Sequence, residues 1–261
     1  PISLHHALAT GRAMLPVYVL DERLEGWAIG GASRWWLDKS LRALDADLRA
    51  RGGRLILRRG DAEAELRRLI EETGADQVFM NRLFEPEAFA RDADIAHGLK
   101  ADGVECRGFN ATLMCRPGAV LNGSGQPYKV FTPFLKALLS VAEAPAGLAA
   151  PEAIAVPDGV ESEAIDDWRL HPSRPDWSSG FVGTPGEAGA QAALEAFVAG
   201  GLKTYATDRD RPDRAGTSGL AAHLHWGEIG PWRAIEAVRA AAAQGRVPAG
   251  EAEKFVAEIG W

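Results

Sequence analysis

Leu15-Pro16-Val17-Tyr18-Val19-Leu20 is a short apolar run that opens a regular alternation along the chain. Its length and its β-branched and aromatic residues predict a buried strand. In residues 33–50, which follow a glycine-containing loop, apolar side chains recur three and four positions apart, the spacing of an amphipathic helix. Further strands are predicted at 55–57, 77–80 and 104–109, and further helices at 62–73 and 86–102. Strands that alternate with helices predict an α/β fold with a doubly wound, mostly parallel sheet.

The composition changes after this region. Prolines recur between residues 143 and 187 with little periodicity, which is typical of a connection that crosses a surface. Alanine-rich helices are then predicted at 188–201, 230–243 and 249–261. We therefore expect an α/β domain over residues 1–128, a long interdomain linker over 129–187, and the first helices of an all-α domain over 188–261.

Overall composition limits the class of protein. The 261 residues are 46% hydrophobic and 25% charged, and no apolar run approaches the roughly 20 residues that span a membrane, so no membrane partner is expected. Cys106 and Cys115 are the only cysteines, and their spacing predicts neither a disulfide framework nor a metal site. A reducing, cytoplasmic compartment is predicted.

The net charge of -7 argues against a nucleic-acid partner for the chain as a whole, because binding phosphates requires exposed lysine and arginine. The negative excess lies within residues 1–202, whereas residues 203–261 contain eight basic and eight acidic side chains. The charge pattern therefore permits a DNA-facing surface in the last quarter without predicting one. The arginines of residues 51–59 have acidic neighbours and are predicted to form a solvated, ion-paired edge.

Gly216-Thr217-Ser218-Gly219-Leu220-Ala221 is a hydroxyl-bearing turn that leads into a short predicted helix. Hydroxyls and unpaired N–H groups at a helix start can bind an anion, and the same residues can also form an ordinary N-cap. His223 and His225 follow two positions apart, on different helix faces, which argues against a zinc site.

Five phrases of the chain resemble the DNA photolyase and cryptochrome family, in the same order as in that family. They are residues 31–37 (GASRWWL), 81–86 (NRLFEP), 91–92 (RD), 127–134 (PYKVFTPF) and the loop at 216–230. The resemblance covers nearly the whole chain, but it implies that the family's first strand and most of the helical flavin domain lie outside these residues. The 261 residues alone are therefore expected to be inactive.

The resemblance implies a carbon–carbon lyase that repairs ultraviolet-damaged DNA with light. Reduced FAD donates an electron to a cyclobutane pyrimidine dimer flipped out of the duplex, and the dimer splits and returns the electron. Extrusion of a poorly stacked damaged pair costs only about a few kcal/mol. The expected partner is damaged DNA, and the expected oligomeric state is a monomer.

The family's flavin-phosphate contacts correspond to Tyr205 and to the loop residues Thr217, Ser218, Gly219, Leu220 and Ala221. Relatives usually have arginine in place of Gly219 and serine in place of Ala221, so phosphate binding is expected to depend on Thr217, Ser218 and backbone N–H groups. Phe255 falls where relatives often have tryptophan and is expected to line the flavin cavity.

Glu258 and Trp261 are three residues apart, on one face of the last predicted helix. By the resemblance, Glu258 lies at the flavin and hydrogen-bonds the flipped dimer, while Trp261 stacks on it. A partly desolvated carboxyl has a raised pKa, so Glu258 is expected to be protonated and to donate to a pyrimidine carbonyl.

The antenna chromophore and the function leave alternatives open. Glu85, Pro86, Glu87 and Arg91 fall where some relatives bind a folate, but the family's Asn-Glu pair appears here as Glu87-Ala88, so a deazaflavin, a folate or no antenna are all compatible. A cryptochrome, a photoreceptor that repairs nothing, would share the fold and flavin loop. An α/β nucleotide-binding module without light chemistry is the third possibility.

Overall fold

The computed structural model describes residues 2–22, 29–145 and 147–261. The chain divides into two compact units, each built from two segments. The first unit comprises Pro1–Ala111 and Leu148–Val182, and the second comprises Thr112–Gly147 and Gly183–Trp261. The boundaries of these units differ from the predicted domains in two ways: residues 112–128 belong to the second unit instead of the α/β unit, and the segment at 129–187 is divided between both units.

The first unit contains two parallel pairs of strands. Strand β1 (Val17–Leu20) pairs with β2 (Ile56–Arg59), and β3 (Gln77–Asn81) pairs with β4 (Glu105–Phe109). Parallel neighbours require a crossover, here supplied by helices α2 (Gly31–Arg49) and α4 (Pro86–Ala101). The predicted α/β class is confirmed, although the four strands within the described residues form two separate two-stranded ladders.

Local sequence explains where the helices of this unit begin and end. Helix α3 (Ala62–Thr73) starts after Asp61, whose Oδ1 accepts a hydrogen bond from the Ala64 N–H at 2.6 Å. It ends at Gly74, which has the left-handed φ of 66° that favours glycine. Near the N-terminus, α1 (Ile2–Leu8) packs beside β3 and β4, where the His6 ring stacks on Phe109 with centroids 4.4 Å apart.

The proline-rich segment Leu148–Val182 is part of this unit rather than a free connection. It buries the side chains of Ile154, Val160, Trp168 and Leu170. The Ile154 N–H donates to the Arg51 carbonyl at 2.8 Å, and Arg54 donates to the Val160 carbonyl at 2.6 Å. Irregular backbone can bury apolar side chains without any periodic spacing, so the sequence pattern did not reveal this packing.

The arginines of the 51–59 cluster are bound within the unit, but among the described residues only Arg58 and Arg59 form the predicted pairs with carboxylates, and the Arg58 side chain is largely buried instead of solvated. Arg58 pairs with Glu72 at 2.6 Å, and Arg59 donates to Glu22. Arg51 donates to the Pro151 and Asp47 carbonyls. The cluster therefore fixes the strand edge and the segment beside it.

The second unit is helical. Its helices are α5 (Phe131–Val141), α6 (Glu187–Ala199), α7 (Tyr205–Asp208), α8 (Ala221–His225), α9 (Pro231–Ala243) and α10 (Ala249–Ile259). Three of them match the predicted helices to within two residues at each end. One core joins them, with Leu194, Leu202, Ile235 and Val256 almost fully buried.

Helix α5 was not predicted, because residues 129–187 were interpreted as linker. Its Pro133 lies in the first turn, where the missing N–H leaves no helical bond unmade. No helix in the described part of the chain is both long and apolar enough to cross a membrane. The described ranges also contain no group of three or more His, Cys, Asp or Glu side chains placed to hold a metal ion.

Candidate functional site

The loop before α8 has a backbone that only particular residues allow. Gly216 is buried against Asp208, and a Cβ at this position would lie 2.5 Å from the Asp208 backbone. Gly219 has a φ of 67°, in the left-handed region that disfavours the arginine of the family phrase. The predicted turn and short helix are both present, and α8 has only five residues.

Only some of the polar groups of this loop form hydrogen bonds with the residues that the structure describes. The Ser218 Oγ accepts from the Leu220 N–H at 3.3 Å, a local turn that precedes the helix. The N-cap of α8 is Leu220, which makes no side-chain cap bond, so the expectation of an ordinary N-cap at Thr217 or Ser218 is wrong. Thr217 is exposed. Its N–H and those of Ser218 and Gly219 donate to no acceptor among the residues that the structure describes. Several donors on adjacent residues can bind one anion together.

Helix α8 is anchored by a buried pair that the sequence interpretation missed. The His223 Nδ1 lies 2.5 Å from Glu228 Oε2, and both side chains are at least 96% buried. The other oxygen of Glu228 accepts from the Gly186 N–H at 2.7 Å. His225 instead lies edge-on to Trp226. A histidine five residues before a glutamate was the available signal, but spacing alone does not distinguish it from a surface pair.

Tyr205 is the first residue of α7 and is 6% exposed. Its ring lies edge-on to Phe197 and Phe255, with centroids 5.4 and 5.5 Å away. The guanidinium of Arg209 lies 5.9 Å from the Tyr205 ring centroid. Burial raises the pKa of the Tyr205 hydroxyl, against the opposing charge of Arg209.

Phe255 is only 2% exposed and belongs to the core. It packs on Phe197 at 4.9 Å as well as on Tyr205. Phe255 therefore packs against the Tyr205 ring and has almost no solvent-exposed surface.

Glu258 lies between two cations. Its Oε1 accepts from Lys254 Nζ at 3.0 Å and also from Arg209 Nη1. Burial works against the charged carboxylate, but the hydrogen bond from Lys254 and the charge and hydrogen bond of Arg209 prevail and lower its pKa. The raised pKa expected for Glu258 is therefore wrong in these surroundings. The sequence interpretation considered desolvation alone and missed Lys254 and Arg209.

Trp261 lies beyond the end of α10, which stops at Ile259, so the expectation that Glu258 and Trp261 share one face of that helix is wrong. Its ring stacks on Phe131, with centroids 4.4 Å apart and planes within 4° of parallel. One face of the indole is therefore covered by a ring.

The residues at the predicted antenna position are placed at the start of α4. Glu85 is its N-cap position but makes no side-chain cap bond, and Pro86 is the first helical residue. Arg91 pairs with Asp92 at 2.7 Å and lies 3.9 Å from Asp21. These contacts hold the Arg91 guanidinium beside two carboxylates.

A model of the DNA photolyase family matches residues 2–154, more than half of the chain. The chain belongs to the DNA photolyase family. It is 38% identical to a deoxyribodipyrimidine photo-lyase from Agrobacterium fabrum, and the match covers 100% of this chain and 54% of that photolyase. The chain therefore spans about half the length of that relative.

A solved structure and a cryptochrome extend the comparison. A bacterial class III photolyase from Agrobacterium tumefaciens superposes with a TM-score of 0.92 at 37% identity, over 100% of this chain and 54% of that photolyase. Cryptochrome-1 of Arabidopsis thaliana is 33% identical over 80% of this chain and 31% of its own length. The proteins similar to this chain therefore include both photo-lyases and a cryptochrome.

Proposed function

We propose that a protein carrying this chain uses light to repair cyclobutane pyrimidine dimers in DNA, as a deoxyribodipyrimidine photo-lyase. The observation that carries the proposal is the arrangement at the end of α10, where Lys254 and Arg209 hold the Glu258 carboxylate and the Trp261 ring stacks on Phe131. The resemblance had already assigned Trp261 to the flipped dimer.

FAD is the proposed cofactor, and the loop before α8 has a suitable donor set for its diphosphate. The N–H groups of Thr217, Ser218 and Gly219 and the exposed Thr217 hydroxyl are available, and Gly216 brings the backbone close to α7. Tyr205, at the start of α7, Leu220 and Ala221 complete the proposed contacts, with Phe255 behind Tyr205. When bound, the reduced flavin supplies the light-driven electron.

Glu258 and Trp261 are the proposed dimer contacts. Stacking of a base on an exposed indole contributes about 1–3 kcal/mol. An ionised carboxylate can only accept hydrogen bonds, so Glu258 would accept from a ring N–H of the pyrimidine. This reverses the direction of the bond expected from the sequence, while leaving Glu258 in the same role of substrate contact and flavin neighbour.

A cryptochrome-type photoreceptor is the second candidate, favoured by the 33% identity to Arabidopsis cryptochrome-1. It would have the same flavin contacts and no repair activity. The antenna, a deazaflavin or a folate, stays open. A monomeric state and a cytoplasmic location stay predictions from the sequence.

The test is an assay of the complete gene product that contains these residues. We expect a flavin absorbance spectrum and light-dependent loss of dimers from an oligonucleotide, with none in the dark. Bound flavin without repair would favour the cryptochrome. Absence of bound flavin would contradict both light-dependent functions and favour a nucleotide-binding module.

A further inference from the structure

The phrase at residues 127–134 has no role in the proposed site so far, although it is one of the five that carry the family resemblance. Phe131 within it is the first residue of α5. Its ring is the aromatic partner on which Trp261 stacks. Residues 130 positions apart in the chain therefore form one aromatic pair.

We propose that Phe131 is a positioning residue that holds the Trp261 indole flat for stacking on a flipped pyrimidine. The inference rests on the proposed function, since it assigns Trp261 to the dimer. The stack at 4.4 Å, within 4° of parallel, restricts the orientation of the indole. A ring ordered before binding loses less freedom when the base arrives.

The packing of α5 explains why Phe131 is in place. Gly260, next to Trp261, lies close against α5: a Cβ there would be 2.7 Å from Leu135 Cδ1 and 3.4 Å from Leu138 Cδ2. Leu138 is itself 3% exposed, so α5 is anchored in the core of the second unit. The start of α5 is thereby fixed beside the indole.

The test compares ring-removing and ring-keeping variants of Phe131 in the complete flavoprotein. In the dark, Phe131→Leu and Phe131→Met should each weaken binding of a dimer-containing oligonucleotide by about three- to tenfold, the value of an aromatic pair beyond its area. Phe131→Tyr should restore wild-type affinity. Flavin content and affinity for undamaged DNA should not change in any of them. Val130→Ala, at a neighbouring residue that is 63% exposed, is the matched control.

Trp261→Ala separates this inference from the proposed function. If Trp261→Ala binds the dimer as well as the wild type does, the substrate role of Trp261 is wrong and so is the inference. If Trp261→Ala loses affinity while both Phe131→Leu and Phe131→Met keep it, only the positioning role is overturned. In the Trp261→Ala background, Phe131→Leu should have no further effect, because its partner is gone.

Discussion

Two cations contact the carboxylate of Glu258, and they lower its pKa against the opposing effect of burial. Lys254 donates at 3.0 Å from one turn earlier in α10, and Arg209 donates from just beyond α7. A carboxylate whose pKa is lowered on folding stabilises the protein above the ordinary glutamate pKa. That contribution falls as the pH drops through the lowered pKa of the folded state.

Lys254→Met should raise the pKa of Glu258, because it removes one of the two cations. If the ionised carboxylate accepts a hydrogen bond from the dimer, dark binding of dimer-containing DNA should weaken as the pH falls and Glu258 is protonated. The midpoint of this loss should lie at a higher pH in Lys254→Met than in the wild type. The measurement is the dissociation constant against pH in the complete flavoprotein. Lys203→Met, which removes an equal charge from an exposed lysine, should leave the midpoint unchanged. Equal midpoints in Lys254→Met and the wild type would remove Lys254 from this role.

Gly216 and Gly219, in the proposed flavin loop, make a matched pair of substitution sites. Gly216→Ala places a Cβ 2.5 Å from the Asp208 backbone, so either the loop or α7 must move, at a cost of about 3 kcal/mol. In Gly219→Ala the added Cβ would have no atom within 4 Å, but the residue would keep a φ of 67°, which is strained for alanine. The expected loss of stability is about 1 kcal/mol. Urea unfolding and flavin content measure both effects. A Gly216→Ala protein that is as stable as Gly219→Ala would contradict the close approach.

The role of a side chain could be predicted where it depends on the residue type and on its neighbours in the sequence. It could not be predicted where it depends on partners that are distant in the sequence. The hydroxyl turn at Thr217 and Ser218 followed from local spacing. The ionised state of Glu258 did not, because Arg209 lies 49 positions away in the chain. The exposed stack of Trp261 on Phe131 was hidden for the same reason.

At the scale of elements, the buried pair of His223 and Glu228 connects α8 to the residue before α6. Glu228→Ala should lower the free energy of unfolding by about 2–6 kcal/mol, because the His223 ring and the Gly186 N–H each lose a buried hydrogen bond to Glu228, at about 1–3 kcal/mol each. Glu228→Gln keeps an oxygen for Gly186 and should cost less. Urea unfolding followed by circular dichroism measures each loss.

Glu253→Ala is the control for that pair. Glu253 pairs with Arg239 at 2.9 Å, but both side chains are more than two-fifths exposed. An exposed pair contributes only about 0–1 kcal/mol. Similar losses in Glu253→Ala and Glu228→Ala would show that the burial of the His223 pair does not matter.

Helices with a regular apolar face were predictable, and α5 was not. The predicted segments at 188–201, 230–243 and 249–261 correspond to α6, α9 and α10. Helix α5 has apolar residues around much of its circumference and only Leu138 fully buried, so its face gave a weak signal beside the proline-rich segment. The role of α5 in the proposed site is evident only from the contact between the rings of Phe131 and Trp261.

On the scale of the whole molecule, the chain leaves each unit and returns to it. The order of strands and helices followed from periodicity, because each element is local. The assignment of Thr112–Gly147 to the helical unit and of Leu148–Val182 to the α/β unit depends on packing between distant residues. A proline-rich sequence therefore looked like a linker although its Trp168 is 2% exposed.

The central claim is that Glu258 and Trp261 form a dimer-repair site beside a flavin loop, and the quantum yield of repair tests it most directly. The complete flavoprotein and its Glu258→Ala variant would be illuminated with a dimer-containing oligonucleotide at equal flavin content. We predict clear light-dependent repair by the wild type and a reduced quantum yield in Glu258→Ala, with flavin still bound. Equal quantum yields would contradict the assigned site, and bound flavin with no repair by the wild type would contradict the function itself.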